Sequence, residues 1–576
     1  MIFVNNIQQT WLLFSKKNRL KAVLLYMLVL FNVFLEILSI GSIVPILIFF
    51  LEENIITKYP FILSIFEVLQ FEYNNFNLFY LLIISIFLLF LLKSITLSIQ
   101  IYLESNLSWG ITNEIRKRLF ERYLLNDISF HNNKHSSTAI NNLTRELDYL
   151  FHSVSNLINL FTQLTLSIII CITLFIFKPF EFFIILSLVL IVLLFFNLFT
   201  AKNLNKKSNL RQIFEESIAK QIVNGLGGIR EIKVFNLEKK FLKIFNLTAN
   251  NLFKIAKKIQ IFVNLPRIIL ELSIVTAILA LLYNLVNSNI DTNTIFTTAG
   301  IFTIAAIKLL PSVNKIYQGF QSLKVNAPSV EVLSSDLKIT DDFKKLNEVN
   351  NQIEFKFEDE IEIKNLFFKY KNQIIFEDIN LRIKKFDLIG IRGESGIGKS
   401  TLIDLIIGLK NPDSGKILID GFNLNFNNKN WLKKISYVPQ DIFLMDDTIK
   451  NNITFQFDKK DFDEKNFRKA CEEAEIYDTF LNLPESFDTM VGERGSKISI
   501  GQRQRIGLAR ALYRKPKLLL LDETTSSLDT FTKNKILQTI KNINKYITVI
   551  IVSHDETILS GCKNIVEIKN RKLIYK

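Results

Sequence analysis

The run Leu388-Ile389-Gly390-Ile391-Arg392-Gly393-Glu394-Ser395-Gly396-Ile397-Gly398-Lys399-Ser400-Thr401 decides the fold of the C-terminal part of this chain. Leu388–Ile391 reads as a buried strand, the glycine-rich run as a loop, and Leu402–Leu409 as a helix. This is G-x-x-x-x-G-K-S in the strand–loop–helix setting that the motif requires. Gly393, Gly396 and Gly398 let backbone N–H groups turn inward around phosphate, and the helix N-terminus adds partial positive charge. The loop residues Glu394, Ser395, Ile397 and Thr401 complete a predicted ATP cradle. Lys399 is expected to reach the β- and γ-phosphates and Ser400 to hold Mg²⁺.

Two later strands carry matching chemistry. Leu518-Leu519-Leu520-Leu521 ends in Asp522-Glu523. An acidic group at such a strand end suits Mg²⁺, and Glu523 is placed to polarise an attacking water, as in-line phosphoryl transfer demands. Thr548–Ser553 ends in His554. A lone histidine is more often structural, but at the end of a third core strand it is expected to contact the γ-phosphate.

With these motifs in place, the segment from about Ile361 onward resembles an ATP-binding cassette domain. Tyr370 matches the aromatic residue that stacks on adenine in that family. Gln440, within Tyr437-Val438-Pro439-Gln440, matches the glutamine that links Mg²⁺ to the transmembrane part. Ile498-Ser499-Ile500-Gly501-Gln502 matches the signature L-S-G-G-Q, and Ser527-Leu528-Asp529 the D-loop. The resemblance implies that Ser499, Gly501, Gln502 and Asp529 complete the ATP site of a partner subunit. One chain has one of each half, so it is expected to work as a pair: a homodimer, or a heterodimer with a different half. Ile500 departs from the pattern, standing where the signature has its first glycine. A β-branched residue makes positive φ costly, so either this position has negative φ or the site is weakened.

Upstream of the cassette the composition changes. The chain has 576 residues, 49% of them hydrophobic and 51 of them Phe. Six apolar stretches reach the roughly 20 residues that a membrane-spanning helix needs: Ala22–Leu51, Asn77–Tyr102, Leu157–Phe177, Phe182–Ala201, Pro266–Val286 and Thr294–Val313. The turn Lys178-Pro179-Phe180-Glu181 is so short that the third and fourth must form a hairpin. The fold class is therefore a polytopic α-helical membrane domain with six spans, residues 1–330, followed by a linker at 331–360 and an α/β P-loop ATP-binding cassette domain at 361–576. The N-terminus does not read as a cleaved signal peptide, because its apolar stretch is too long and no small-residue cleavage site follows.

Charge sets the orientation. Lys16, Lys17, Arg19 and Lys21 precede the first span. Arg116, Lys117, Arg118 and Arg122 lie in the second connection, and Lys202, Lys206, Lys207 and Arg211 in the fourth. The alternate connections are nearly bare, so both termini are expected in the cytoplasm of a bacterial inner membrane. The net charge of +15 is explained by these flanks; no basic–aromatic nucleic-acid motif appears. The six spans exclude a soluble ATPase of DNA repair or translation. Within the two long basic connections, Leu125–Asn132 and Gly225–Phe235 are candidates to dock on the ATPase, or are ordinary turns of helical hairpins. Cys171, Cys471 and Cys562 show no metal spacing and read as small residues in a reducing compartment.

Charges inside spans cost roughly 2.5–3.5 kcal/mol each on insertion scales and mark function by default. Glu36, Lys93, Arg267, Glu271 and Lys308 qualify. Arg267 and Glu271 stand at i, i+4 and are spaced to pair. Lys93, Arg267 and Lys308 are expected to meet an anionic headgroup such as pyrophosphate, which makes a lipid-linked cargo plausible. Tyr59–Leu69 reads as a short amphipathic helix on the outer membrane surface, or as a loop folded on the spans. The chain resembles the subgroup of exporters that flip lipid-linked oligosaccharides in bacterial protein N-glycosylation. The similar stretches are Pro266–Glu271, Lys308–Lys315 and this outer segment. That resemblance implies that Lys93, Arg267 and Lys308 bind the diphosphate linker of a polyprenyl-linked sugar. Export of another lipid, a peptide or a drug is the alternative within the class, and an ATP-gated channel or regulator the alternative outside it.

Overall fold

The computed structural model describes residues 2–42, 75–177, 179–287, 292–350, 354–371, 373–425, 427–455, 462–524 and 530–575. The segment Tyr59–Leu69, with Lys58, and the D-loop residues Ser527, Leu528 and Asp529 lie outside them. The chain divides into two compact units, Met1–Asn126 with His131–Asp341, and Asp127–Phe130 with Asp342–Lys576.

The first unit is helical throughout. A short helix α1 (Ile2–Leu12) precedes α2 (Lys16–Gly41), α3 (Asn75–Leu125), α4 (Leu147–Phe177), α5 (Pro179–Gly227), α6 (Glu238–Asn287) and α7 (Thr292–Asn350). Helices are the form such apolar runs must take, because hydrocarbon offers no partner for a free backbone N–H or C=O. Helices α3 to α7 contain the second to sixth apolar stretches, α2 holds the first as far as Gly41 while residues 43–51 lie outside the described ones, and among the described residues four helices are long and apolar enough to cross a membrane. At 1.5 Å per residue the 49-residue α5 is about 74 Å long, more than twice a ~30 Å hydrocarbon core. Its polar C-terminal half therefore has to leave the bilayer. Helices α4 and α5 form the tight hairpin, with the Phe175 and Phe182 rings edge to face at 6.0 Å. A short helix at Ile128–Asn133 overlaps the first of the two segments named as docking candidates, and one at Ile229–Val234 lies within the second.

One boundary differs from the expectation. The region 331–360 does not begin as a linker, since α7 continues to Asn350 with Pro311 and Pro328 inside it. A proline removes one helical hydrogen bond. Here Ser329, Val330 and Leu333 are fully buried, and that packing holds the helix through the break.

The second unit has two sheets. The first is antiparallel, in the order β2 (Gln373–Lys384), β1 (Glu360–Tyr370), β4 (Ser414–Ile419), β5 (Phe422–Asn423). The second runs β10 (Lys572–Tyr575), β9 (Asn564–Lys569), β3 (Leu388–Gly393), β8 (Thr548–Val552), β7 (Leu518–Asp522), β6 (Ile435–Val438). It is parallel from β9 to β6. Every residue of β7 and β8 is buried, as expected for parallel strands covered on both faces. Such strands read as unbroken apolar runs, and their first polar residues mark where the sheet ends. In this sheet those residues are Asp522-Glu523 and Ser553-His554.

Candidate functional site: a phosphate cradle and a charged knot between helices

The loop between β3 and α8 (Lys399–Ile407) has Gly396 and Gly398 at φ of +81° and +111°. A Cβ on Gly398 would stand 2.6 Å from Ile375 Cγ2, so glycine is required there for space as well as for φ. The start of α8 carries no side-chain cap, which leaves its first N–H groups as donors for an anion. Lys399 is 8% exposed. It donates to the carbonyl oxygens of Gly393 at 2.8 Å and Glu394 at 3.2 Å, and its Nζ lies 3.4 Å from Glu523 Oε1.

The ends of β3, β7 and β8 bring the expected acidic and histidine groups to this cradle. Ser400 Oγ donates to Asp522 Oδ2 at 3.0 Å, and the Tyr437 hydroxyl donates to the same oxygen at 3.2 Å. Burial pushes the Asp522 carboxyl above its usual range, while Ser400, Tyr437 and Lys399 pull it back and Glu523 adds to the rise. Burial and the Asp522 charge also raise the Tyr437 hydroxyl. Gln440 Nε2 donates to Glu523 Oε2 at 2.9 Å, and His554 Nδ1 lies 3.7 Å from Glu523 Oε1. Glu523 therefore gathers Lys399, Gln440 and His554 around one carboxylate. Its own backbone sits at φ +50°, an uncommon conformation for a side-chain-bearing residue, of the kind that collects at functional sites.

These residues fit ATP and Mg²⁺. The cradle offers free helix N–H groups and a buried ammonium for phosphate. Among the described residues no group of three His, Cys, Asp or Glu could hold a metal by itself. The Ser400 hydroxyl and the Gln440 side chain, with Asp522 behind, suit Mg²⁺, which keeps few protein ligands and completes its octahedron with phosphate oxygens and water.

Tyr370 lies half exposed at the end of β1, its hydroxyl 3.4 Å from Thr401 Oγ1. Its neighbour was not legible in the sequence. Lys410 donates to the Tyr370 hydroxyl and to Asp404 Oδ2, and its Nζ stands 4.9 Å from the Tyr370 ring centroid. Burial works to lower the Lys410 ammonium, but Asp404 and Tyr370 outweigh it and hold it above its usual value.

The signature residues form their own cluster. Ser499 is the N-cap of α9 (Ile500–Tyr513), with φ −64° and ψ 156°. Its Oγ accepts from the Gln502 N–H at 3.2 Å, while Gln502 Oε1 accepts from the Ser499 N–H at 3.0 Å. This is a complete capping box. Ile500 is the first helical residue, is absent from the positive-φ positions and is 64% exposed. The first of the two alternatives for this position therefore holds: it has negative φ, and the loop closes without a glycine.

In the first unit the three candidate cargo cations are not gathered together. Arg267 Nε pairs with Glu271 Oε1 at 2.8 Å on an exposed face of α6. Lys93 from α3 and Lys308 from α7 both meet Glu36 of α2, at 2.5 Å to Oε2 and 2.8 Å to Oε1. Nearby, Asn32 Nδ2 donates to Gln100 Oε1 at 2.5 Å and further ties α2 to α3. The expectation of three cations lined up toward one cavity is thus replaced by one exposed ion pair and one bridged knot. The reason is desolvation: ammonium groups at membrane depth recruit a carboxylate rather than stand unpaired.

A bundle of membrane-length helices joined to a P-loop cassette with a signature helix defines an exporter half-transporter of the ATP-binding cassette (ABC) class. The family model for the ABC transporter transmembrane region matches residues 22–305, and the ABC transporter model matches residues 376–526. The chain belongs to this family, and the ABC transporter match lies within its second unit. An ATP-dependent lipid A-core flippase of Wigglesworthia glossinidia brevipalpis is 29% identical over 496 residues, covering 83% of this chain and 82% of that one. ABC transporter B family member 1 of Dictyostelium discoideum is 26% identical over 517 residues, 87% of this chain. The chain spans about half of that relative's length (55%). Among solved structures, a bacterial Atm1-family ABC exporter with ATP bound matches with a TM-score of 0.77 at 18% identity, over 97% of this chain and 94% of that one. At that identity the match speaks for the fold.

Proposed function

We propose that two copies of this chain form an ATP-driven exporter that carries a phosphate-bearing lipid outward across a bacterial inner membrane, with both termini cytoplasmic. Lys399 and the N–H groups of α8 hold the phosphates of one ATP. Ser400, Gln440 and Asp522 hold Mg²⁺, which when bound neutralises phosphate charge. Glu523 orients the attacking water, and His554 steadies the γ-phosphate. Ser499, Gly501, Gln502 and Asp529 of the partner copy close the same site, and Tyr370 stacks on adenine. Drawing two cassettes together and releasing them drives the spans, through Gln440 and the short helices at Ile128–Asn133 and Ile229–Val234.

The cargo reading rests on one observation. Lys93 and Lys308 meet at membrane depth on a single carboxylate, which leaves that knot with an excess of positive charge. An anionic headgroup suits it, whereas a neutral drug gains nothing from it. A polyprenyl-diphosphate oligosaccharide is the preferred cargo. A lipid A-type glycolipid is the second reading, favoured by the named activity of the relatives.

The test is ATPase activity of purified protein in liposomes containing polyprenyl-diphosphate oligosaccharide, lipid A, phosphatidylcholine or a hydrophobic drug. Stimulation by the two anionic lipids, the polyprenyl diphosphate and lipid A, and not by zwitterionic phosphatidylcholine or the drug, is expected, and the double substitution Lys93→Glu/Lys308→Glu should abolish it. Equal stimulation by drugs and by the double variant would sink the cargo assignment. The channel alternative is addressed by Glu523→Gln, which should stop lipid movement; ion conductance that survives it would favour a channel.

A further inference from the structure

Glu36 has no part in the reading so far except as a neighbour, yet its position is unusual. Each of its carboxylate oxygens is used by a lysine from a different helix: Oε1 by Lys308 of α7 at 2.8 Å, Oε2 by Lys93 of α3 at 2.5 Å. Lys93 is enclosed, 7% exposed, with Ser39 Oγ at 3.2 Å and the Phe90 ring centroid at 5.3 Å. The Lys308 side chain is 41% exposed, while that of Glu36 is 13%. One lysine of the knot is therefore open to an incoming group, and the other is held behind the carboxylate.

A phosphate presents two oxygens at a spacing close to that of a carboxylate. An anion that bridges both lysines as Glu36 now does competes with it for the same places. Two ammonium groups brought side by side at membrane depth without an anion would be costly, so the carboxylate is what lets the lysine pair exist when no cargo is present. We infer that Glu36 is a resident counter-ion, which a phosphate-bearing lipid headgroup displaces on binding and which reclaims Lys93 and Lys308 on release. This rests on the cargo reading above and adds to it the group that governs entry and release. It also explains selectivity: a neutral molecule has no differential affinity for the opened knot and cannot shift it.

The shared ligand chemistry is the phosphate or diphosphate of a lipid, from either a polyprenyl carrier or a lipid A-type glycolipid. The experiment uses full-length protein in liposomes, titrated separately with polyprenyl diphosphate and with lipid A. It records the half-maximal concentration for ATPase stimulation and the lipid flipped per ATP. Glu36→Gln keeps the shape and removes the competing charge. The half-maximal concentration should fall about tenfold for whichever lipid is the cargo, and the lipid flipped per ATP should fall with it, because nothing takes the lysines back. Glu36→Asp, one methylene too short to reach both lysines, should shift both readouts the same way by less, and it decides the matter if the Gln variant does not fold. A merely structural Glu36 would raise the half-maximal concentration or leave it unchanged, and either result overturns the counter-ion role while leaving the cargo reading intact. If neither lipid stimulates the wild-type protein, both fall.

Discussion

Ile500 stands in the signature loop where a glycine would ordinarily permit positive φ. It occupies the first turn of α9 at negative φ, with its side chain exposed beyond the Ser499–Gln502 capping box. The helix start is therefore built by the cap and does not need glycine. Ile500→Gly should leave ATPase activity within about threefold and lower stability by no more than about 1 kcal/mol, the usual cost of glycine in a helix. Ser499→Ala removes the bond that Oγ accepts from the Gln502 N–H, leaving the backbone bond to Gln502 Oε1, and should lower stability by about 1 kcal/mol, with a much larger loss of ATPase activity than Ile500→Gly causes. Thermal unfolding and steady-state phosphate release check both. A large gain of activity in Ile500→Gly would show instead that isoleucine weakens the site. At Glu523 the prediction is steeper. Glu523→Gln should reduce hydrolysis by about 10²-fold or more, the scale of a lost general base, while ATP binding measured with a fluorescent analogue persists.

Among the elements, β1 and β4 show what the sequence did and did not disclose. Their register shifts between Lys364 and Phe367, where Asn365 takes φ +48°. This is a bulge, and Gly415 on β4 faces it at φ +86°; a Cβ there would stand 2.4 Å from the Asn365 carbonyl oxygen. Gly415→Ala should destabilise the second unit by about 1–3 kcal/mol and weaken nucleotide binding through Tyr370 at the end of the paired strand β1. Denaturant unfolding and a nucleotide titration test it; an unchanged midpoint would contradict it. Nothing in the local sequence announces this bulge, because register depends on the partner strand. The ends of β3, β7 and β8 were legible, since a buried parallel strand is an apolar run, and Arg392-Gly393, Asp522-Glu523 and Ser553-His554 break it at the strand ends. The apolar character of the long helices was legible for an analogous reason, the composition that hydrocarbon imposes. The meeting of Glu36 with Lys93 and Lys308 was not, because it joins three helices far apart in sequence. Nor was the passage of α7 through Pro328, which local propensity reads as a break and tertiary packing overrides.

At the scale of the whole molecule, the chain carries a phosphate cradle around Lys399 and a separate signature cluster at Ser499. The signature cluster closes its hydrogen bonds in a capping box while the cradle leaves helix N–H groups open, and each is half of the proposed ATP site. The proposed exporter works only if the halves meet across two copies, so that Lys399 and Glu523 of one copy face Ser499 and Gly501 of the other. The most direct measurement is the ATPase activity of a mixed dimer, purified through two tags, in which one copy carries Lys399→Ala and the other Ser499→Ala. If the site is shared between copies, both lesions fall in the same site and the second site stays intact. The mixed dimer should then hydrolyse ATP at a substantial fraction of the wild-type rate, while each homodimer is nearly inactive. If each copy completes its own site, both sites in the mixed dimer are damaged. Activity no higher than that of the two homodimers would contradict the account.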